Sequence, residues 1–188
     1  LNFKNAKLSS DNNFSFKINK KLKISDFFVK SKIKLDKLNY KIEQAKLKKY
    51  LPSYNGAVDF ENHEITLLIL KNKFSAQGEG SYLIDTQPEK INNNITNKDG
   101  NLKFKSKINI NKNPLNIEFL NYVKKENKDS TLFIDGEHKK DKTLFFKKIS
   151  LNESKNNFLI DNLSLTKDLK INYFNENNLN FINQNKKK

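Results

Sequence analysis

Between Lys71 and Asp85 the chain reads K-N-K-F-S-A-Q-G-E-G-S-Y-L-I-D. Phe74, Ala76, Gly78, Gly80, Tyr82 and Ile84 share one parity, and Ser75, Gln77, Glu79 and Ser81 share the other. An extended backbone sends alternate side chains to opposite faces, so this stretch predicts a strand with one apolar and one wetted face. At about 3.3 Å per residue it reaches roughly 36 Å from Phe74 to Ile84, longer than a usual strand. The two glycines interrupt the apolar row, which predicts a bulge or the close approach of a neighbouring strand.

The same design recurs along the chain. Asn2 to Leu8 reads as an edge strand and Ser9 to Asn13 as a turn; Phe14, Phe16 and Ile18 then alternate and turn at Asn19 to Lys21 into Leu22 and Ile24. Phe27, Val29, Ser31, Ile33 and Leu35 keep one phase before it shifts to Leu38, Tyr40 and Ile42, which predicts a bulge or bend. Glu43 to Tyr54 breaks the alternation, and Ala45, Leu47, Tyr50 and Leu51 allow one or two helical turns ended by Pro52. Gly56 to His63 reads as a loop with a short strand. Ile65, Leu67 and Ile69 follow, with Leu68 and Leu70 on the other side, a strand expected to be covered on both faces. Asn72 and Lys73 connect it to the Phe74 strand as a hairpin.

Beyond a loop containing Pro88, Lys90 to Thr96 forms a weaker strand, and Lys98-Asp99-Gly100-Asn101 carries the Asp-Gly hairpin signal. Leu102, Phe104, Ser106, Ile108 and Ile110 alternate. Leu115 to Tyr122 fits either a helix or a strand and is read as a strand beside strands; Lys124 to Asp129 is a charged turn. Leu132, Ile134, Gly136 and His138 lead through Lys139 to Lys142 into Leu144 and Phe146, with Phe145 opposite. Ile149 and Leu151, a turn at Asn152 to Asn157, Phe158 and Ile160, a bulge at Asp161 and Asn162, Leu163 and Leu165, and a last strand of Leu169, Ile171 and Tyr173 complete the series. Two internal echoes, Val29 to Leu35 with Phe104 to Ile110 and Ala76-Gln77-Gly78-Glu79 with Ile134-Asp135-Gly136-Glu137, suit a repetitive structure. The fold class expected is mainly β, a long antiparallel meander forming a curved, groove-like sheet with at most one short helix. Residues 1–174 are one β-groove segment and residues 175–188 a polar Lys/Asn-rich tail. Because the chain opens on Leu1, it reads as a piece of a longer protein.

Composition narrows the chemistry. A mean hydropathy of -0.80 is low for a compact globule, yet 15 Phe and 6 Tyr with many Ile and Leu are strand formers, which suits a sheet wetted on one face. All 36 basic residues are Lys, giving a net charge of +15. Lys, Asn, Ile and Phe are what AT-rich codons encode, so the charge is weak testimony to a partner. Nucleic-acid binding would favour clustered cations and Arg for bidentate contacts; these lysines are spread over polar strand positions, as a solvated face or one attracted to anionic head groups would have them. There is no Cys, His63 and His138 lie far apart without metal-ligand spacing, Gly78-x-Gly80 opens no helix, and no Ser stands in a nucleophile elbow. No enzyme, metal or cofactor is expected.

The remaining feature is the shared apolar face. Its candidate lining comprises Phe74, Ala76, Tyr82, Ile84, Leu102, Phe104, Ile108, Ile110, Leu132, Ile134, Leu144 and Phe146, flanked by Phe14, Phe16, Val29, Ile33, Phe158 and Ile160. Such a face is either a sealed core, between two sheets of a structural or adhesive β-sandwich or between the sheet and the short helix, or a trough left open to acyl chains.

The order Leu51-Pro52, Asp59 to Lys71, Ala76-Gln77-Gly78-Glu79-Gly80, the Pro88 loop, Lys103 to Ile110, Pro114-Leu115 and Tyr122-Val123-Lys124-Lys125-Glu126 resembles the AsmA-like family of periplasmic lipid-transport proteins, its YhdP/TamB-like branch in particular. Asp135-Gly136-Glu137 to Leu165 is similar to that family's strand-turn-strand units, so the likeness spans most of residues 45 to 170. The resemblance implies a β-groove that carries phospholipid between inner and outer membranes in outer-membrane biogenesis. It implies a periplasmic place with an inner-membrane anchor outside this piece, acyl chains and the two membranes as partners, and no nucleic acid.

Overall fold

The computed structural model describes residues 3–41, 45–85, 87–117, 122–140, 143–154, 156–167, 170–173 and 176–180. Ten strands run antiparallel, each beside the next: β1 (Phe3–Ile18), β2 (Ile24–Lys41), β3 (Ala57–Leu70), β4 (Lys73–Leu83), β5 (Glu89–Lys98), β6 (Asn101–Asn109), β9 (Ser130–His138), β10 (Leu144–Glu153), β11 (Asn156–Leu165) and β12 (Ile171–Tyr173). The sheet does not close into a barrel; β1 and β12 are its ends. The one interruption of the meander falls between β6 and β9, where β7 (Leu115–Ile117) and β8 (Tyr122–Lys124) pair with each other as a separate two-stranded sheet. Among the described residues a single short helix, α1 (Ala45–Tyr50), lies between β2 and β3, and β13 (Glu176–Asn180) returns to pair with β11.

The turn chemistry explains the hairpins. Lys98 pairs with Asn101 across Asp99 and Gly100, whose φ values of 52° and 85° are the double left-handed geometry that an Asp-Gly hairpin turn supplies. Leu70 pairs with Lys73, so the β3–β4 connection is Lys71 and Asn72, one position earlier than Asn72 and Lys73.

The phase shifts in the apolar pattern are bends shared by neighbouring strands. β2 and β3 change phase together at Asp36 and Asn62, which interrupt an otherwise unbroken register between Leu35–His63 and Lys37–Glu61. β10 and β11 do the same at Lys147 and Asn162, between Phe146–Leu163 and Lys148–Asp161. Asn62 and Asn162 take φ values of 54° and 55°, a left-handed conformation that Asn tolerates better than most residues. Asn5 and Asp26, also left-handed, stand at the register shifts of β1 against β2. Each bulge bends and twists the sheet locally. Part of the Asn content that codon bias would explain is thus used where the backbone needs it.

Several expected boundaries move. Ser9 to Asn13 is not a turn but the middle of β1, paired with Lys34 to Lys30 of β2, because a long partner strand supplies its backbone hydrogen bonds whatever the side chains. Gly56 to His63 is mostly strand, since β3 starts at Ala57. The reverse turn near residue 155 is tighter than Asn152 to Asn157, because Glu153 already pairs with Asn156. Residues 176–180, read as tail, form β13. The predicted helix falls at Ala45–Tyr50, with Pro52 just beyond it. Its predicted first residues 43 and 44, the strand position Leu169, and the tail residues 181–188 lie outside the described residues.

Candidate functional site

The register places ten of the twelve predicted lining residues on one face, and Ile84 and Ile110, just past the ends of β4 and β6, join Tyr82 of that face in one buried cluster. Leu67, Ala76, Ile95, Phe104, Gly136, Phe146 and Leu163 stand opposite one another in a row across β3, β4, β5, β6, β9, β10 and β11. At about 4.8 Å between strands this row runs roughly 29 Å across the sheet. One side of it lies Ile69–Phe74–Asn97–Leu102–His138–Leu144, and the other Ile65–Gly78–Asn93–Ser106–Ile134–Ile149–Ile160. Asn93 and Ser106 would break the apolar surface, but the Ser106 hydroxyl donates to Asn93 Oδ1 at 2.6 Å, so the two polar groups satisfy each other. The opposite face carries the lysines: Lys105 pairs with Asp135 at 3.0 Å there.

The apolar face divides into two zones. At the strand ends farther from the Asp99-Gly100 turn, Tyr82, Ile84, Ile110 and Leu151 are buried with Tyr54 in one cluster, and Ile91, Ile108, Leu132 and Phe158 pack against it. Its lid comes from elsewhere in the chain: Leu47 and Leu51 from α1 and the residue just after it, Leu115 from β7 and Tyr122 from β8. Thus five predicted lining residues, Tyr82, Ile84, Ile108, Ile110 and Leu132, belong to a covered margin. The other seven, Phe74, Ala76, Leu102, Phe104, Ile134, Leu144 and Phe146, are half-buried in a band outside that cluster.

Leu115 to Tyr122 therefore supplies strands of the lid and not a further strand of the meander, and its interior, residues 118–121, lies outside the described residues. The chain leaves the sheet at Ile110, folds over its apolar face and returns at Ser130. The excursion is fastened at its neck: Ile110 N–H donates to Ser130 O at 3.0 Å, Ser130 N–H to Asn111 Oδ1 at 2.7 Å and Lys128 N–H to Asn111 O at 3.0 Å. An apolar hairpin beside an open apolar face gains more by covering that face than by lengthening the sheet.

Beneath the lid the face turns polar. Glu89 and Glu153 are buried, 3% and 4% exposed, and Lys124 is 0% exposed, the most thoroughly buried large side chain. The expected charged turn at Lys124 is thus a buried ammonium in a strand. Its Nζ donates to the carbonyls of Asn111, Asn113 and Lys125 at 3.0, 2.8 and 3.0 Å, which uses all three protons. Burial pushes the Lys124 pKa down, while the charges of Glu153, Glu89 and Glu126 hold it up. Glu89 accepts the Lys112 N–H, and Glu153 accepts the Tyr122 hydroxyl. Tyr122 is raised above its ordinary pKa by burial, then by that hydrogen bond and the Glu153 charge; Tyr82, whose hydroxyl donates to Asn109 O at 2.6 Å, is raised by burial and then by Glu89. Both phenols stay neutral donors: Tyr122 ties the lid to β10, and Tyr82 ties β4 to the end of β6 beneath it.

The glycines admit ring packing. At Gly136 an added Cβ would stand 2.7 Å from Phe145 O and 2.8 Å from Phe104 Cζ, so the Phe104 ring lies over this position and meets Phe146 edge-on at 6.0 Å between centroids. Gly136→Ala is expected to cost about 1–3 kcal/mol by overpacking and to displace the Phe104 ring, read as a lower urea midpoint and an altered aromatic NMR shift. At Gly80 the neighbour is the His63 ring, which also bonds Ser81 O at 2.9 Å. His63 is thus a buried packing residue, and His138 is exposed at a strand end. Leu68 and Leu70, expected to be covered, are half-buried and 37% exposed, because the second face of β3 has no lid of this kind.

Sequence reasoning offered the short helix of Leu47 and Leu51 as one possible cover of the face and missed Tyr54, Leu115 and Tyr122 as its partners. The Leu47–Leu51 spacing of four, one helical face, was the available signal. Nothing in the sequence marks Lys124 as different from its many neighbours. Among the described residues no group of three or more His, Asp or Glu side chains could hold a metal. No helix among them is long and apolar enough to cross a membrane. No protein family, curated protein or solved structure matches this chain.

Proposed function

We propose that this chain is a segment of a bridge-like protein that carries phospholipid acyl chains along an apolar β-groove, in the periplasmic, intermembrane role that its resemblance to AsmA-like proteins implies. The observation that supports it most is the division of the face. A sheet of this breadth that served only as scaffold would cover its apolar side throughout, yet the lid meets one margin and leaves the Phe104 band half-buried. Each methylene moved from water onto such a surface is worth about 0.8 kcal/mol, enough for a laid acyl chain to trade bilayer for protein at small net cost. The ring floor of Phe104 and Phe146 and the aliphatic Ile134 offer contact without hydrogen-bonding demands. The opposite face, with its Lys105–Asp135 pair, suits water.

The experiment is site-specific photocrosslinking in cells. Probes at Phe104 and Ile134 are expected to capture phospholipid, and probes at Lys105 and Asp135, one residue away on the other face, are not. Equal capture from both faces would reject the groove. The competing reading, a sealed structural or adhesive β-sandwich, is favoured by the covered margin and predicts no capture at any of the four positions.

A further inference from the structure

One edge of the sheet combines lysine-rich turns with exposed aliphatic side chains. Five connections between neighbouring strands line that edge, with described residues 19–23, 71–72, 99–100, 139–140 and 143, and 166–167 and 170. Their described residues include eight lysines, three in the first, one in the second, two in the fourth and two in the fifth, against the acid Asp99. The opposite edge is more mixed: Lys46, Lys48 and Lys49 lie in α1 of the β2–β3 connection, and Lys112, Lys125 and Lys128 share that edge with Asp85, Glu126 and Asp129.

Large aliphatic side chains stand exposed among these lysines. Leu22 is 83% exposed, the highest value among the exposed large hydrophobics, and Ile18, Ile24 and Ile171 flank the turns at 55%, 63% and 65%. Leu22 also has φ 56°, a left-handed conformation that a bulky residue adopts only under constraint. The constraint is local: Asn19 Oδ1 accepts the N–H groups of Lys21 and Lys23 at 2.9 and 3.0 Å, and Asn19 O accepts that of Leu22 at 2.9 Å. The turn is therefore tied in a shape that holds an aliphatic side chain out into solvent between cations.

We propose that this turn edge is a docking surface for an anionic lipid bilayer, the lysines lying at the head groups and Leu22 with its aliphatic neighbours entering the boundary with the acyl region. Interspersed cations and exposed aliphatic groups are the combination that binds such an interface, one part by attraction and the other by burial. The line of turns spans ten strands, about 43 Å of strand spacing, long enough for several turns to meet one surface. A phosphate backbone in water would give the aliphatic groups nothing to enter, and the rim has no Arg to grip it. The half-buried row of Phe74, Leu102 and Leu144 lies next to these turns, so a docked rim sets the open band beside the membrane. The role in loading acyl chains rests on the groove reading; the docking does not, and the two are tested by separate readouts.

The test is flotation of the chain with phosphatidylcholine vesicles, with and without about 30% phosphatidylglycerol. Binding is expected only with the anionic lipid and is expected to weaken as salt rises. Combined Lys20→Gln, Lys21→Gln, Lys23→Gln and Leu22→Asn changes should weaken it about tenfold or more, with the fold kept because Asn accepts the left-handed position. The charge-matched control Lys112→Gln, Lys125→Gln and Lys128→Gln should change it less than about twofold. The chain has no Trp, so Leu22→Trp reports insertion as a blue shift on anionic vesicles, and Val123→Trp, exposed on the lid, should show none. Equal loss in both lysine variants, equal binding to neutral vesicles, or no shift at Leu22→Trp would overturn the proposal. So would duplex DNA binding that the rim variant abolishes while vesicle binding persists. Photocrosslinking at Phe104 that survives in the rim variant would leave the groove standing without the dock, and vesicle binding without crosslinking would do the reverse.

Discussion

Lys124→Ala is expected to cost about 3–5 kcal/mol, the usual penalty for removing one partner from a buried charged network. Three carbonyls lose their donor, and Glu89 and Glu153 remain buried without the cation that offsets their charge. The loss should be local before it is global. Hydrogen exchange is expected to show protection vanishing first at Leu115–Ile117 and Tyr122–Lys124, while the ends of β3 and β4 beside their shared turn, outside the cluster under the lid, keep theirs. Lys124→Met combined with Glu153→Gln should recover part of the stability, because it removes a charge with its counterpart. A uniform drop in protection across all strands would show that the lid is no separate layer.

The second large effect compares the two zones of the apolar face. Leu151→Ala, at 3% exposure in the covered margin, is expected to lower stability by about 2–5 kcal/mol through lost burial and the cavity left behind. Phe104→Ala removes a larger side chain but from the half-buried band, and is expected to fall clearly below the 3–5 kcal/mol typical of a buried Phe. Urea midpoints on both variants decide it. If Phe104→Ala costs as much as Leu151→Ala, the band is closed core and the groove reading fails. The expected contrast continues in function, since Phe104→Asp should impair lipid capture more than Lys105→Asp, although both introduce the same group one residue apart.

Much of the fold can be read from side-chain parity because a strand has a period of two and one face of this sheet is wet. The alternation of Phe74 to Ile84 and of Leu102 to Ile110 marks the strands, and the phase slips at Leu35–Leu38 and at Asp161–Asn162 mark the bends. The Asp99-Gly100 turn is local chemistry and is legible for the same reason. Parity fails where the partner strand overrides the side chains. Ser9 to Asn13 has turn composition but lies along a long β2 that pairs with it throughout. It fails again at Leu115 to Tyr122, where a strand pattern says nothing about which sheet the strand joins.

The candidate site is legible to the same degree. Ten of the twelve predicted lining residues share a face because register carries parity from strand to strand, and Ile84 and Ile110, just beyond their strands, join the same cluster. Their separation into a covered margin and an open band could not be read, since it depends on where α1 and the β7–β8 hairpin come to rest. Leu47 and Leu51 signal an amphipathic turn without naming its target, and Lys124 has no feature in the sequence that separates it from the lysines left in water.

By itself the sequence determined an antiparallel β meander with one apolar face and one charged face, since alternation and hairpin signals are properties of neighbouring residues. Only the tertiary structure decided how much of the apolar face is covered, which lysine is buried, and that the lysine-rich turns gather along one edge with Leu22 held outward. Those outcomes depend on residues far apart in the chain meeting in space, and no period along the chain encodes such meetings.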